Sequence, residues 1–169
     1  MRELVVLRHA KAEAGGETDW ARELVQRGYD DAVEAGRWLA DSGFVPDGAL
    51  VSTARRAAST WRALAEGGSF DVAATYSDSL YAAGPETALD LVRETGSDVS
   101  ALVVVGHNPT MAYLAQLLDD GSGDAEAGRR MAVGFPTGAL AVFEVDASWA
   151  DLDLASARLV AFHVGRASG

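Results

Sequence analysis

Leu4-Val5-Val6-Leu7-Arg8-His9-Ala10-Lys11 takes four apolar residues, without polar alternation, directly into a guanidinium and an imidazole. Such a run suits a strand buried on both faces, as in a parallel sheet covered by helices. In open α/β sheets ligands collect beyond the carboxyl ends of the strands, and Arg8 and His9 fall there if the strand stops near Leu7. Taken alone, the pair reads better as the start of a surface loop. The rest of the chain decides between the two.

The same switch recurs. Ala49-Leu50-Val51, after the turn Pro46-Asp47-Gly48, runs into Ser52-Thr53-Ala54-Arg55-Arg56-Ala57, and the apolar residues 101–105 stop at Gly106-His107-Asn108-Pro109. Helical spacing separates these strands. Val33, Trp38 and Leu39 share a stripe in residues 30–41, preceded by a loop over 12–27 and the turn residue Gly28. Ala57, Trp61 and Leu64 do the same over 57–66, with Gly67-Gly68 as the terminator. Residues 72–76 read as a third strand and 77–84 as a loop. Pro85 suits a first helical position, with Glu86 at the positive end of the dipole and the helix ending before Gly96. Asn108 as cap and Pro109 as first residue open a helix with Met111, Leu114, Leu117 and Leu118 on one stripe. Residues 119–127 are acidic and Gly-rich, predicting a mobile loop with a short helical turn, and strands follow over 139–145 and 158–164. The expected fold is a single three-layer α/β/α domain over residues 1–169 with a mostly parallel central sheet.

Composition narrows the chemistry. The 169 residues contain no cysteine, which excludes disulfides, thiolate metal sites and a cysteine nucleophile. The net charge of −11, from 25 acidic against 14 basic residues, disfavours nucleic acid and anionic membranes as partners. No apolar run reaches the roughly 20 residues of a membrane helix, and the first is too short for a signal-peptide core, so a cytoplasmic location is expected. All basic residues but Lys11 are arginine, a compositional bias that carries no function.

A sheet brings its strand ends together. Two imidazoles, His9 and His107, with the guanidiniums of Arg8 and Arg56 form a rim complementary to a compact dianion, because arginine offers paired planar donors to phosphate oxygens. The chain resembles the histidine phosphatase, or phosphoglycerate mutase-like, superfamily, and within it the small bacterial phosphohistidine phosphatase branch. The resemblance rests on Leu7-Arg8-His9-Ala10-Lys11-Ala12, on Arg22-Glu23-Leu24 with Arg27-Gly28, and on Ser52 followed by Arg56-Ala57 and Thr60. Val105-Gly106-His107-Asn108-Pro109 and Pro136-Thr137-Gly138-Ala139-Leu140 complete it.

The resemblance implies that His9 is a nucleophile that becomes phosphorylated, that Arg8, Arg56 and His107 hold the phosphoryl oxygens, and that neither metal nor cofactor takes part. Chemistry adds a requirement. An imidazole nitrogen attacks phosphorus only when unprotonated, so His9 should be oriented through its other nitrogen by a backbone carbonyl. The spacing from Ser52 and to Thr60 selects Arg56 over its solvated neighbour Arg55. Arg22 either reaches the rim of the pocket or only bridges Asp19. Asn108 either donates its backbone amide to the phosphoryl group or only caps a helix.

The general acid departs from the family. Many members carry a glutamate after the third strand, whereas the matching residue here is Ser79, leaving Asp78 and Glu86 as candidates. That absence suits phosphohistidine, whose imidazole can be protonated before it leaves. The short chain has no evident lid insertion, which suits a bulky phosphorylated protein and argues against a mutase. Three other readings stay open: a broad small-molecule phosphomonoesterase, a non-catalytic phosphate-binding module, and a metal protein built on His9 and His107. His163, in an alternating terminal strand, is expected to serve packing.

Overall fold

The computed structural model describes residues 1–168; Gly169, the last residue of the predicted span, lies outside the described residues. In chain order the elements are β1 (Arg2–Arg8), α1 (Gln26–Asp41), β2 (Gly48–Ser52), α2 (Arg55–Gly68), β3 (Ala74–Ser77), α3 (Asp78–Tyr81) and α4 (Pro85–Arg93). Then come β4 (Ala101–Gly106), α5 (Thr110–Leu118), α6 (Ala125–Val133), β5 (Ala139–Val145), a 3-10 turn at Trp149–Asp151, and β6 (Ala157–Val164). The strands form one sheet in the order β3-β2-β4-β1-β5-β6. Its first four strands are mutually parallel, while β5 runs antiparallel to both β1 and β6.

Alternation along β1 divides the core. Leu4 and Val6 pack with Leu89 and Val92 of α4, Leu114 and Leu118 of α5, and Met131 of α6. Val5 and Leu7 pack with Leu39 of α1 and Trp61 and Leu64 of α2. The sheet is therefore the middle of three layers, and residues 4–7 of β1 are all apolar because both faces of the strand are covered there. No helix among the described residues is long and apolar enough to cross a membrane.

Register places the site. Arg8 pairs with Gly106, and Val51 with Val105, so β1, β2 and β4 end level with one another. Behind them Gly138, at φ +78°, turns the chain into β5 and sends its N–H to the carbonyl oxygens of Arg8 and His9 at 3.2 and 3.1 Å. A positive φ of this kind favours glycine.

Five sequence expectations need correction, and glycine explains two of them. Gly28 lies inside α1, which starts at Gln26, because a Cβ there would stand 2.1 Å from the Lys11 carbonyl oxygen. Gly67 and Gly68 lie inside α2, where a Cβ on Gly67 would meet the Val33 oxygen at 1.9 Å; the helix ends at Ser69, in the left-handed region. These glycines allow close approach of backbones and do not break helices. The stretch 77–84 contains α3, capped by the Ser77 hydroxyl accepting from Leu80 N. The expected loop over 119–127 gives way to α6, capped by Asp124 accepting from Ala127 N, with Ala127 and Met131 buried. Helix α5 also begins one residue later than expected, at Thr110.

Candidate active site at the carboxyl edge of the sheet

His9 follows β1 directly and is 7 % exposed. Its Nδ1 lies 2.8 Å from the carbonyl oxygen of Ala10, which can only accept, so Nδ1 carries the proton and the neutral ring keeps a lone pair on Nε2. Burial, opposed in part by that hydrogen bond and reinforced by Arg56, Arg8 and Arg22, lowers the His9 pKa to about 4. The ring is thus neutral at neutral pH and presents an unprotonated nitrogen.

His107, just beyond β4, tilts against His9 with ring centroids 5.2 Å apart. Its Nε2 is 2.8 Å from Ser52 Oγ at the end of β2, and its Nδ1 is buried without a partner. Burial, His9 and Arg56 hold its pKa at about 3. Arg56, in the first turn of α2, is buried, and Thr60 one turn later donates to its carbonyl oxygen while accepting from Ala10 N. One hydroxyl thereby fastens α2 to the segment carrying His9.

The buried nitrogens Arg8 Nε, Arg56 Nε and His107 Nδ1 lack hydrogen-bond partners among the described residues. Arg2 Nε at the start of β1 is unpartnered as well, but the other three fall on residues around one imidazole, which leaves their hydrogen-bonding capacity to a bound group. No family model matches the sequence. A relative of Mycobacterium tuberculosis, an uncharacterized protein, is 42 % identical over 162 residues, covering 95 % of this chain and all of the relative. Among solved structures, a candidate phosphohistidine phosphatase SixA from Nakamurella multipartitia is 31 % identical with a TM-score of 0.85, covering 97 % of this chain and 96 % of its own. A second such SixA, from Agrobacterium tumefaciens, is 32 % identical with a TM-score of 0.77, over 96 % and 97 % of the two chains. The chain belongs to the histidine phosphatase superfamily.

Around the His9 and His107 cluster of this histidine phosphatase superfamily member, the other candidate residues fall into distinct places. Arg8 donates from Nη1 to the Phe135 carbonyl oxygen at 3.1 Å. Asn108 donates from Nδ2 to the same oxygen and accepts from Ala112 N in the first turn of α5, so its side chain does cap that helix. Arg22 bonds Asp19 through Nε at 3.1 Å and lies close enough to His9 to depress its pKa. Arg55 points outward to Glu23. His163 stacks on Trp38 at 4.4 Å and meets Glu34, away from this centre.

Neither predicted general acid joins the cluster directly. Asp78 is exposed and accepts from Thr53 Oγ1 at 2.7 Å. Glu86 lines a separate cleft with Leu117 and Leu154, because its position in the first turn of α4 turns it toward α5.

The carboxylate that does join is Asp19. It accepts from Arg56, from Arg22 and, at 2.7 Å, from the Tyr81 hydroxyl. Tyr81 and the two arginines hold its pKa at about 2, so it is ionised at neutral pH and has no proton to donate. Tyr81 also sets its ring edge against His107, with centroids 5.5 Å apart. Sequence reasoning gave neither residue a role at the site. Ser52 and Thr60 were visible only as spacing within a motif, and nothing in the sequence links Asp19 to Tyr81 across 62 positions.

Proposed function

We propose that the chain is a phosphatase that transfers a phosphoryl group from phosphohistidine in a protein to His9 and then to water. The observation that carries this reading is the neutral His9, with Nε2 free, beside the open nitrogens of Arg8, Arg56 and His107. In the first step the Nε2–phosphorus bond forms as the substrate nitrogen–phosphorus bond breaks. The electron pair goes to the departing imidazole, which takes up a proton. In the second step water attacks phosphorus and loses a proton to solvent as the phosphorus–Nε2 bond breaks, its electron pair returning to His9 and orthophosphate leaving.

Arg8, Arg56 and His107 act by stabilising charge on the equatorial oxygens. An ionised Asp19 supports a leaving group that does not require a strong acid from the protein, which favours phosphohistidine over an alkyl ester. The two SixA relatives support the same substrate by their names.

The test is phosphate release from a phosphohistidine-bearing protein by the wild type and His9→Ala side by side, with an aryl phosphate in parallel. Fast release that vanishes in the variant, with acid-labile phosphate trapped on wild-type His9, is the expected result. A faster reaction with the aryl ester would move the assignment to a general phosphomonoesterase. Binding without release from either substrate would make the site a phosphate-recognition module.

A further inference from the structure

An open groove of about 630 Å³ begins where Arg8 ends. Its walls are Val133 at the end of α6, Phe135, Phe162 and Val164, flanked by the guanidiniums of Arg8 and Arg130. The lining is apolar in a protein of net charge −11, and Val133 is 91 % exposed. The groove has a built floor, with Phe135 and Phe162 meeting edge to face at 5.5 Å and Arg130 lying 5.6 Å over the Phe162 ring while donating to its carbonyl oxygen.

Phe135 joins this groove to the phosphate centre. Its carbonyl oxygen receives Arg8 Nη1 and Asn108 Nδ2, the neighbours in sequence of His9 and His107, while its side chain walls the groove. Arg8 likewise lines the groove and lies near enough to His9 to depress its pKa.

We propose that this groove holds an apolar side chain flanking the phosphorylated histidine of a protein substrate, making Val133, Phe135 and Phe162 determinants of which phosphohistidines are hydrolysed. The proposal rests on the phosphohistidine reading above. His9 is almost fully covered, so only the phosphoimidazole tip of a substrate enters, and the substrate main chain stays outside. Arg8 belongs both to the groove lining and to the surroundings of His9, so the substrate residues that reach the groove are those flanking the phosphohistidine. A free phosphomonoester with a small leaving group has nothing to place there.

The experiment uses two phosphohistidine peptides that differ only in leucine or serine at the flanking positions, with kcat/KM measured for each. The wild type is expected to favour the leucine peptide by roughly tenfold, the discrimination an apolar pocket supplies for a few carbons. Val133→Asp, which places a charge on an exposed rim position, is expected to bring that ratio close to one. Because the ratio is internal to each protein, a general loss of activity cancels. Equal rates on both peptides by the wild type, or a preference that survives Val133→Asp, overturns the groove assignment and leaves the phosphatase reading standing. Turnover of an aryl phosphate with neither peptide hydrolysed overturns both.

Discussion

Arg56 donates twice to Asp19, from Nη1 to the main-chain oxygen at 2.7 Å and from Nη2 to the carboxylate Oδ2 at 3.0 Å. The guanidinium is 5 % exposed and the carboxylate side chain 57 %, so one buried guanidinium is held by one solvated loop residue. A solvated partner adds little to stability, about 0–1 kcal/mol, but a fork held at two points fixes direction. The loop over residues 18–22 is itself docked, since Trp20 accepts from Arg55 N and donates to Thr53.

Asp19→Ala is therefore expected to lower kcat/KM about tenfold or more through misplacement of Arg56, while changing unfolding free energy by less than about 1 kcal/mol. Steady-state kinetics on an aryl phosphate and urea unfolding measure the two. Unchanged kcat/KM would remove Asp19 from the positioning of Arg56.

Ser52 is fully buried and holds His107 Nε2. In Ser52→Ala both nitrogens of the ring lack a protein partner, since Nδ1 already has none. An unpaired buried polar atom costs about 1–3 kcal/mol, and an imidazole free to turn stabilises transferring charge less well. The expected outcome is that loss in stability together with a kcat reduced by roughly tenfold. A variant as active as the wild type would show that the serine has only a packing role.

Much of this arrangement was legible in the sequence because it depends on strand ends. An apolar run that stops at Arg8-His9, and another that stops at Gly106-His107, fixes where those side chains emerge once parallel pairing is assumed, and the register leaves them level. The fold's three layers follow from the same fully apolar strands. What was not legible depends on surfaces meeting at a distance. Gly28 and Gly67 looked like breakers because a sequence records the missing Cβ and not the carbonyl opposite it. Asp19 looked like one more acid in an acidic loop, since its role comes from Arg56, Arg22 and Tyr81 converging on it from α2, its own loop and α3. Helix α6 was hidden by the glycines and acids before it, although Asp124 is an ordinary capping residue.

The two histidines make a prediction about pH. Each has an unperturbed pKa of 6.5, lowered in the folded chain to about 4 for His9 and about 3 for His107, chiefly by burial. Below 6.5 the unfolded chain takes up protons that the folded chain refuses, so stability falls as pH falls from 6.5 toward 4 and 3. Proton NMR should show two imidazoles titrating at those low values, as apparent constants of a neighbouring pair, and urea unfolding should show the matching loss. If both rings titrated near 6.5, the neutral, preoriented nucleophile would be lost from the mechanism.

Gly36 and Gly128 test how far helix packing governs the site. By propensity alone, glycine to alanine inside either helix should stabilise by about 0.5–1 kcal/mol. At Gly128 of α6 nothing lies within 4 Å of the added Cβ, so that gain is expected. At Gly36 of α1 the Cβ would stand 2.0 Å from the Leu64 carbonyl oxygen and 2.9 Å from Gly68 N, both on α2. Backbone cannot swing aside as a side-chain tip can, and overpacking of this kind costs about 1–3 kcal/mol, enough to reverse the sign. Displacing α2 also moves Arg56 and Thr60, whose hydroxyl links the Arg56 carbonyl to Ala10 N beside His9. Gly36→Ala is thus expected to lose both stability and kcat/KM, and Gly128→Ala to gain stability with activity retained. Thermal unfolding and aryl phosphate kinetics on the pair decide it, and equal behaviour of the two variants would refute the close α1–α2 contact as the element that holds Arg56 in place.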